Sequence, residues 1–228
     1  MTTGETLQIG GELLSSGVKR LLLDRILAGH YQPGERIVEL KLAKELGTSQ
    51  SPIREALRDL AGIGVVEIHS RRGASVRLPT GKELADVSLV RSEIDALAAR
   101  IAAPKISDEI LADLQQALDA MFRAIAGGDT YGLTRADAQF HRMIATAADN
   151  RAVERVFNQL EPVARTFFTL TAPDVDLELI MREHQGILSA LRSRNPELAS
   201  CRARMHQLGV GRLFQQSTHK PNDVESAT

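Results

Sequence analysis

The chain has 228 residues, 43% hydrophobic and 25% charged, with one cysteine and a formal net charge of −1. That balance excludes a collagen, a disulfide scaffold and a disordered polymer, and no stretch is apolar enough to read as a membrane span. Aromatic residues are only 4% and tryptophan is absent, so the core must come from Leu, Ile, Val and Ala, a composition that favours helices.

Leu13 to Ala28 has helical apolar spacing, with Val18, Leu21, Leu22 and Ile26 on one face. Gly29 and Pro33-Gly34 stop it. Val38 to Leu46 gives a short second helix, ended by Gly47. Ser51-Pro52 reads as the start of a third, with Ser51 as the cap and Pro52 in the first helical position, running to about Ala61. Val65 to Ile68 and Ala74 to Leu78 read as two strands around Arg71-Arg72-Gly73. Three helices followed by a β-ribbon is the order of a winged helix-turn-helix. Pro79 to Gly81 then interrupts the chain, and beyond it breakers thin out. The predicted fold is therefore mainly α: a winged helix-turn-helix over residues 1–79 and an all-α antiparallel bundle over residues 80–228. The polar tail from Ser217 to Thr228 reads as frayed.

The third helix carries the chemistry of the first segment. At about 100° per residue, Ile53, Ala56, Leu57 and Leu60 share one side, while Ser51, Arg54 and Arg58 share another. Guanidinium groups suit phosphates and the O6/N7 edge of guanine, and a helix of this kind fits the major groove. Arg72 and Gly73 at the ribbon tip are placed to approach the DNA backbone or the minor groove. Charge by itself is a weaker guide. Residues 1–80 hold 11 Lys and Arg against 9 Asp and Glu, and the remainder hold 17 against 20.

In the second segment, Asp137 and His141 stand at i,i+4 on a predicted helix from Tyr131 to Ala147. His184 lies on a predicted helix from Asp176 to Arg192, and His206 on a last helix from Pro196 to about Gln215. Three imidazoles and a carboxylate from three helices suit a divalent transition metal, Zn, Ni, Fe or Mn, if the bundle brings them together. Spacing alone leaves unrelated surface imidazoles as the alternative. Phe140, Phe157, Phe167 and Phe168 read as core, and Cys201 as a packed or surface thiol.

The run PGERIVELKLAKELGTSQSPIREALRDLAGIGVVEIHSRRGASV resembles the DNA-binding domain of GntR-type bacterial transcription regulators, and the helical remainder resembles the FadR-type subfamily with its FCD ligand-binding domain. The lone Cys201 forms no internal disulfide, which fits a reducing cytoplasm. The resemblance implies a non-enzymatic homodimer that reads a palindromic operator, with a small carboxylate effector altering DNA affinity. It implies DNA contacts from Ser49, Gln50, Ser51, Pro52 and Arg54, support from Arg58, and ribbon contacts from His69, Arg72 and Gly73. Gln50 stands where many relatives carry Arg, and glutamine pairs naturally with adenine rather than guanine. A metal-binding class of the subfamily has the order Asp-x-x-x-His followed by two later histidines. Asp137, His141, His184 and His206 match it, leaving His30, His69 and His219 outside the pattern.

By the same resemblance Arg91 reaches into the pocket as a carboxylate clamp; the alternative is an exposed helix arginine paired with Asp95. Asp95 stands where the subfamily usually has Glu. Asn150 reads as a helix C-cap. The alternative for the whole chain is a metal-dependent hydrolase or lyase with an accessory helix-turn-helix, disfavoured because no nucleophile elbow and no separate general acid/base motif is present.

Overall fold

The computed structural model describes residues 14–32, 34–62, 64–69, 73–77, 79–160 and 175–217. The chain divides into two compact units, Met1–Pro79 and Thr80–Thr228. Among the described residues no helix is long and apolar enough to cross a membrane.

The first unit contains α1 (Leu14–Leu27), β1 (Arg36–Ile37), α2 (Glu39–Glu45), α3 (Gln50–Gly62), β2 (Val66–His69) and β3 (Gly73–Val76). The strands form one antiparallel sheet in the order β1-β3-β2, with Val66 opposite Val76 and His69 opposite Gly73. Val18, Leu22 and Ile26 of α1, Leu42 of α2, and Ile53, Leu57 and Leu60 of α3 are buried together with Val66 and Val76. Each apolar stripe thus finds its partner, which is what stabilises helices this short. The α2–α3 turn depends on Gly47, whose φ of 63° is a left-handed conformation that a side chain would strain. Two details depart from expectation. The sequence signals no β1, because a two-residue strand has no periodicity to read. And α3 starts at Gln50, so Ser51 and Pro52 lie inside its first turn and Ser51 is not the cap.

The second unit contains α4 (Gly81–Ala102), α5 (Asp108–Gly127), α6 (Thr130–Ala147), α7 (Arg151–Gln159), α8 (Leu177–Arg192) and α9 (Pro196–Ser217). Helix α4 lies along α9, and α5 packs on α6 and α8. Local chemistry sets most starts. Thr80 and Glu83 form a capping box at α4, and Ser107, Asp129 and Asp176 cap α5, α6 and α8 through their side-chain oxygens. Asn150 does the same for α7, accepting from the Ala152 and Val153 N–H groups. It is therefore an N-cap, not the C-cap expected; α6 ends at Ala148 instead. Leu114, Met121, Phe140, Phe157, Ile187 and Leu191 are the fully buried heart of the bundle. Phe140 and Phe157 are core as expected; Phe167, Phe168, His219 and the tail after Ser217 lie outside the described residues. Cys201 is an exposed free thiol.

Candidate metal centre and nucleic-acid interface

Helix α3 buries Ile53, Ala56, Leu57 and Leu60 and exposes Ser51, Arg54 and Arg58. Ser49 is exposed just before it, and Gln50 and Pro52 are half-buried. The Arg54 side chain is 55% exposed, but it is not loose. Its Nε donates to Glu39 Oε2 at 2.6 Å, and its Nη2 donates to Gln50 Oε1 at 3.0 Å. The guanidinium is thereby held in one plane against α2 and α3. In the ribbon, the half-buried His69 shares a 2.8 Å hydrogen bond between its Nε2 and Ser75 Oγ, so it braces the hairpin. Gly73 opens β3 with a left-handed φ of 82°, and Arg72 lies outside the described residues.

In the second unit the bundle brings His141 (α6), His184 (α8) and His206 (α9) together, each buried, with one ligating atom from each lying within 4.8 Å of the others. His184 Nε2 is 3.2 Å from His141 Nε2 and 3.1 Å from Asp137 Oδ1. Asp137 and His141 share a face of α6 because they are one turn apart. The outer nitrogens are all directed elsewhere. His184 Nδ1 donates to the Ile180 carbonyl at 2.8 Å, and His206 Nδ1 donates to Glu183 Oε2 at 2.8 Å. His141 Nδ1 faces Asp95 Oδ2 at 3.5 Å. These partners fix the ring orientations and leave the Nε2 atoms of His141 and His184 pointing inward with Asp137. Phe140 stands edge-on to His141 and His184 and gives the cluster an apolar wall.

Burial alone would push the Asp137 carboxyl up, but the charge and hydrogen bond of His184 hold it well below the usual carboxylate range. His184 is the counterpart: burial disfavours its charge, and Asp137 outweighs that and raises it. Burial lowers His141, helped by the nearby Arg91 guanidinium, and burial with the His184 charge lowers His206. Two nitrogens and a carboxylate oxygen therefore meet at a point that needs a positive species. The proton on His184 supplies one; a divalent cation suits the same donor set of imidazole nitrogens and one ionised carboxylate.

Arg91 is buried, its side chain only 6% exposed, so it is not a surface arginine. It does pair with Asp95: Nη2 donates to Asp95 Oδ2 at 2.9 Å. Gln207 donates to the same oxygen at 2.7 Å, and the Arg91 guanidinium lies 5.3 Å over the Phe157 ring. Arg91 Nε and Asp95 Oδ1 are buried without a hydrogen-bond partner. Burial raises the Asp95 carboxyl in spite of Arg91. Asp95 and Glu183 are the orienting groups that sequence reasoning missed. Neither stands at a periodic spacing from the histidine that it orients, since each pair comes from different helices.

With the metal-free cluster, the sign of the pH dependence follows. His141 and His206 take up protons less readily folded than unfolded, so below about pH 6.5 the unfolded chain gains protons that the fold refuses. His184 contributes stability that is present at low pH and lost as pH rises through its raised value, the opposite direction. Asp137 contributes stability that is lost only at strongly acid pH. Asp95, whose carboxyl burial raises, acts in the same direction as His184. The contribution of His141, held well below its ordinary value, is isolated by substitution: the urea midpoint of the chelated protein is expected to fall less, or rise more, between pH 7.5 and pH 5.5 in His141→Gln than in the wild type. An identical pH dependence of the two proteins would contradict this assignment.

Residues 14–76 match the family "Bacterial regulatory proteins, gntR family", and residues 86–208 match the FCD domain. The chain belongs to the gntR family of bacterial transcription regulators and carries an FCD domain after its helix-turn-helix. It is 29% identical, over 94% of its length and 93% of the relative's, to the "Probable D-xylose utilization operon transcriptional repressor" of Paenarthrobacter nicotinovorans. It is 29% identical over 76% of its length to the gluconate operon transcriptional repressor of Bacillus licheniformis, spanning 74% of that protein. The fold is shared with the solved structure of Escherichia coli McbR/YncC, at a TM-score of 0.75 and 23% identity over 90% of this chain and 99% of that one. The family places the chain among DNA-binding regulators and not among hydrolases or lyases.

Proposed function

We propose that the chain is a cytoplasmic, homodimeric repressor whose grip on a palindromic operator is set by a small carboxylate bound beside a divalent metal in the helical domain. Its relatives in two species are named as repressors of sugar and sugar-acid operons, which supports both the repressor role and an organic-acid effector. DNA contact falls to Ser49 and to α3 through Gln50, Ser51, Pro52, Arg54 and Arg58, with His69, Arg72 and Gly73 in the ribbon. The exposed guanidinium groups of Arg54 and Arg58 support this. Leu89, Val90 and Leu97 of α4 are large, apolar and exposed, which supports a second copy packing on that face. Sedimentation of the purified chain tests the dimer.

The observation that carries the sensor reading is the inward meeting of His141, His184 and Asp137 with the ring nitrogens behind them already engaged. Asp137, His141, His184 and His206 would hold the metal, Zn, Ni, Fe or Mn, which when bound offers an open position to a carboxylate. Arg91 supplies the clamp. Its unpartnered Nε and the unpartnered Asp95 Oδ1 place one donor and one acceptor in the same buried cluster, a demand that a polar ligand meets. The effector acts by population shift: it must prefer one dimer geometry over the other, since tight binding without preference moves nothing. A thermal-shift panel of carboxylic and sugar acids, with and without chelator, tests this. A true effector at 100 times its Kd is expected to add about 2.7 kcal/mol to the stability of the metal-loaded protein and clearly less to that of the chelated protein. An acid that shifts the chelated protein equally would overturn the role of the metal.

A further inference from the structure

The amide of Gln50 does not present itself to solvent as an isolated glutamine. Because α3 starts at Gln50, residues 50, 54 and 58 stand at i, i+4 and i+8 within an arc of about 80°. Glu39, Arg54 and Gln50 form a continuous chain from α2 to α3, closed by the 2.6 Å and 3.0 Å hydrogen bonds from Arg54. A guanidinium has donors only, so the side of the amide that faces Arg54 must be its oxygen. The amide nitrogen is therefore directed away from Arg54. Reading adenine bidentately requires both ends of the amide, the oxygen accepting from N6 and the nitrogen donating to N7. Here one of the oxygen's two lone pairs is taken by a cationic donor, which polarises the amide, weakening the oxygen as an acceptor and strengthening the two N–H donors. Those donors stand at the first residue of a recognition helix, the region that reaches base edges in the major groove. Guanine presents two acceptors, N7 and O6, side by side on that edge.

We infer that Gln50, with its amide oxygen held by the Glu39-anchored Arg54, selects guanine and not adenine at its position in each half-site. The inference rests on α3 entering the major groove as proposed above. It reverses the preference that the residue type alone suggests, and it makes Glu39 and Arg54 positioning residues for the readout.

The test is enrichment of DNA duplexes with randomised half-sites by the full-length protein, followed by sequencing. The wild type is expected to favour guanine over adenine about five- to tenfold at one half-site position. Gln50→Ala flattens that position and leaves the others. Arg54→Ala, which releases the amide oxygen, moves the same position toward adenine within a weaker motif. Adenine at the Gln50-dependent position of the wild type overturns the inference. So does a Gln50→Ala protein that binds all sequences equally less well, which would put the amide on a phosphate. A motif indifferent to Gln50 removes this inference alone, whereas no enriched motif from the wild type removes the DNA-reading role of α3 as well.

Discussion

Replacing His184 by Ala is expected to leave the purified protein without bound metal while operator binding survives. His184 is the hinge of the cluster, since its Nε2 faces both His141 Nε2 and Asp137 Oδ1. Losing it removes one of four donors and leaves the Asp137 carboxylate buried without its main partner. Changes to orienting partners alone cost about 10–100-fold in metal affinity, and removing a ligand costs more. Elemental analysis after dialysis reads the loss. Helix α3 lies in the other unit, so a gel shift should still show the DNA complex. Buried charges left unpaired cost about 3–5 kcal/mol, so the helical content of the variant is checked in parallel. Glu183→Gln offers a gentler comparison: it keeps every ligand, weakens the acceptor of His206 Nδ1 and removes a charge that acts on His184 as well. Full metal content in His184→Ala would defeat the site assignment.

Arg54→Ala is expected to weaken the specific complex by about 1–3 kcal/mol, or roughly 5- to 150-fold. The structure argues for the upper part of that range. Removing the guanidinium deletes the proposed contact, and it also leaves the Glu39 carboxylate without its ion-pair partner on the face proposed to meet DNA. A Glu39→Ala change on top of Arg54→Ala should therefore recover part of the loss, and the double-mutant cycle separates the two contributions. Titrations at two salt concentrations complete the test, because loss of a phosphate contact lowers the salt slope by about one. Unchanged affinity would exclude Arg54 from the interface.

The helix-turn-helix was legible because its apolar stripes are local. Ile53, Ala56, Leu57 and Leu60 announce both the helix and its buried side, and Gly47 and Gly62 punctuate it. What escaped were features made between elements. The start of α3 at Gln50 puts Gln50 and Arg54 one turn apart, a pairing invisible while Ser51 was read as the cap. Strand β1 exists only because β3 offers it a ladder. Asn150 was assigned to the wrong end of the turn, because asparagine serves either role and the choice depends on α7. The histidines are legible one by one, but their convergence is a property of bundle packing that spacing does not encode. Arg91 carried two readings in sequence, and its position combines a part of each: it is interior, not exposed, and it pairs with Asp95.

That pairing has a consequence for how signals combine. Asp95 Oδ2 receives Arg91 and Gln207 and lies near His141, contacts drawn from α4, α9 and α6. A single oxygen has few lone pairs to share, so anything that draws Arg91 away redistributes the remainder between the other two. A carboxylate effector and a divalent ion bound as proposed would then be sensed as a coincidence, each altering the hold on the other in equal measure, as reciprocity demands. A cell starved of that ion would be partly deaf to the acid.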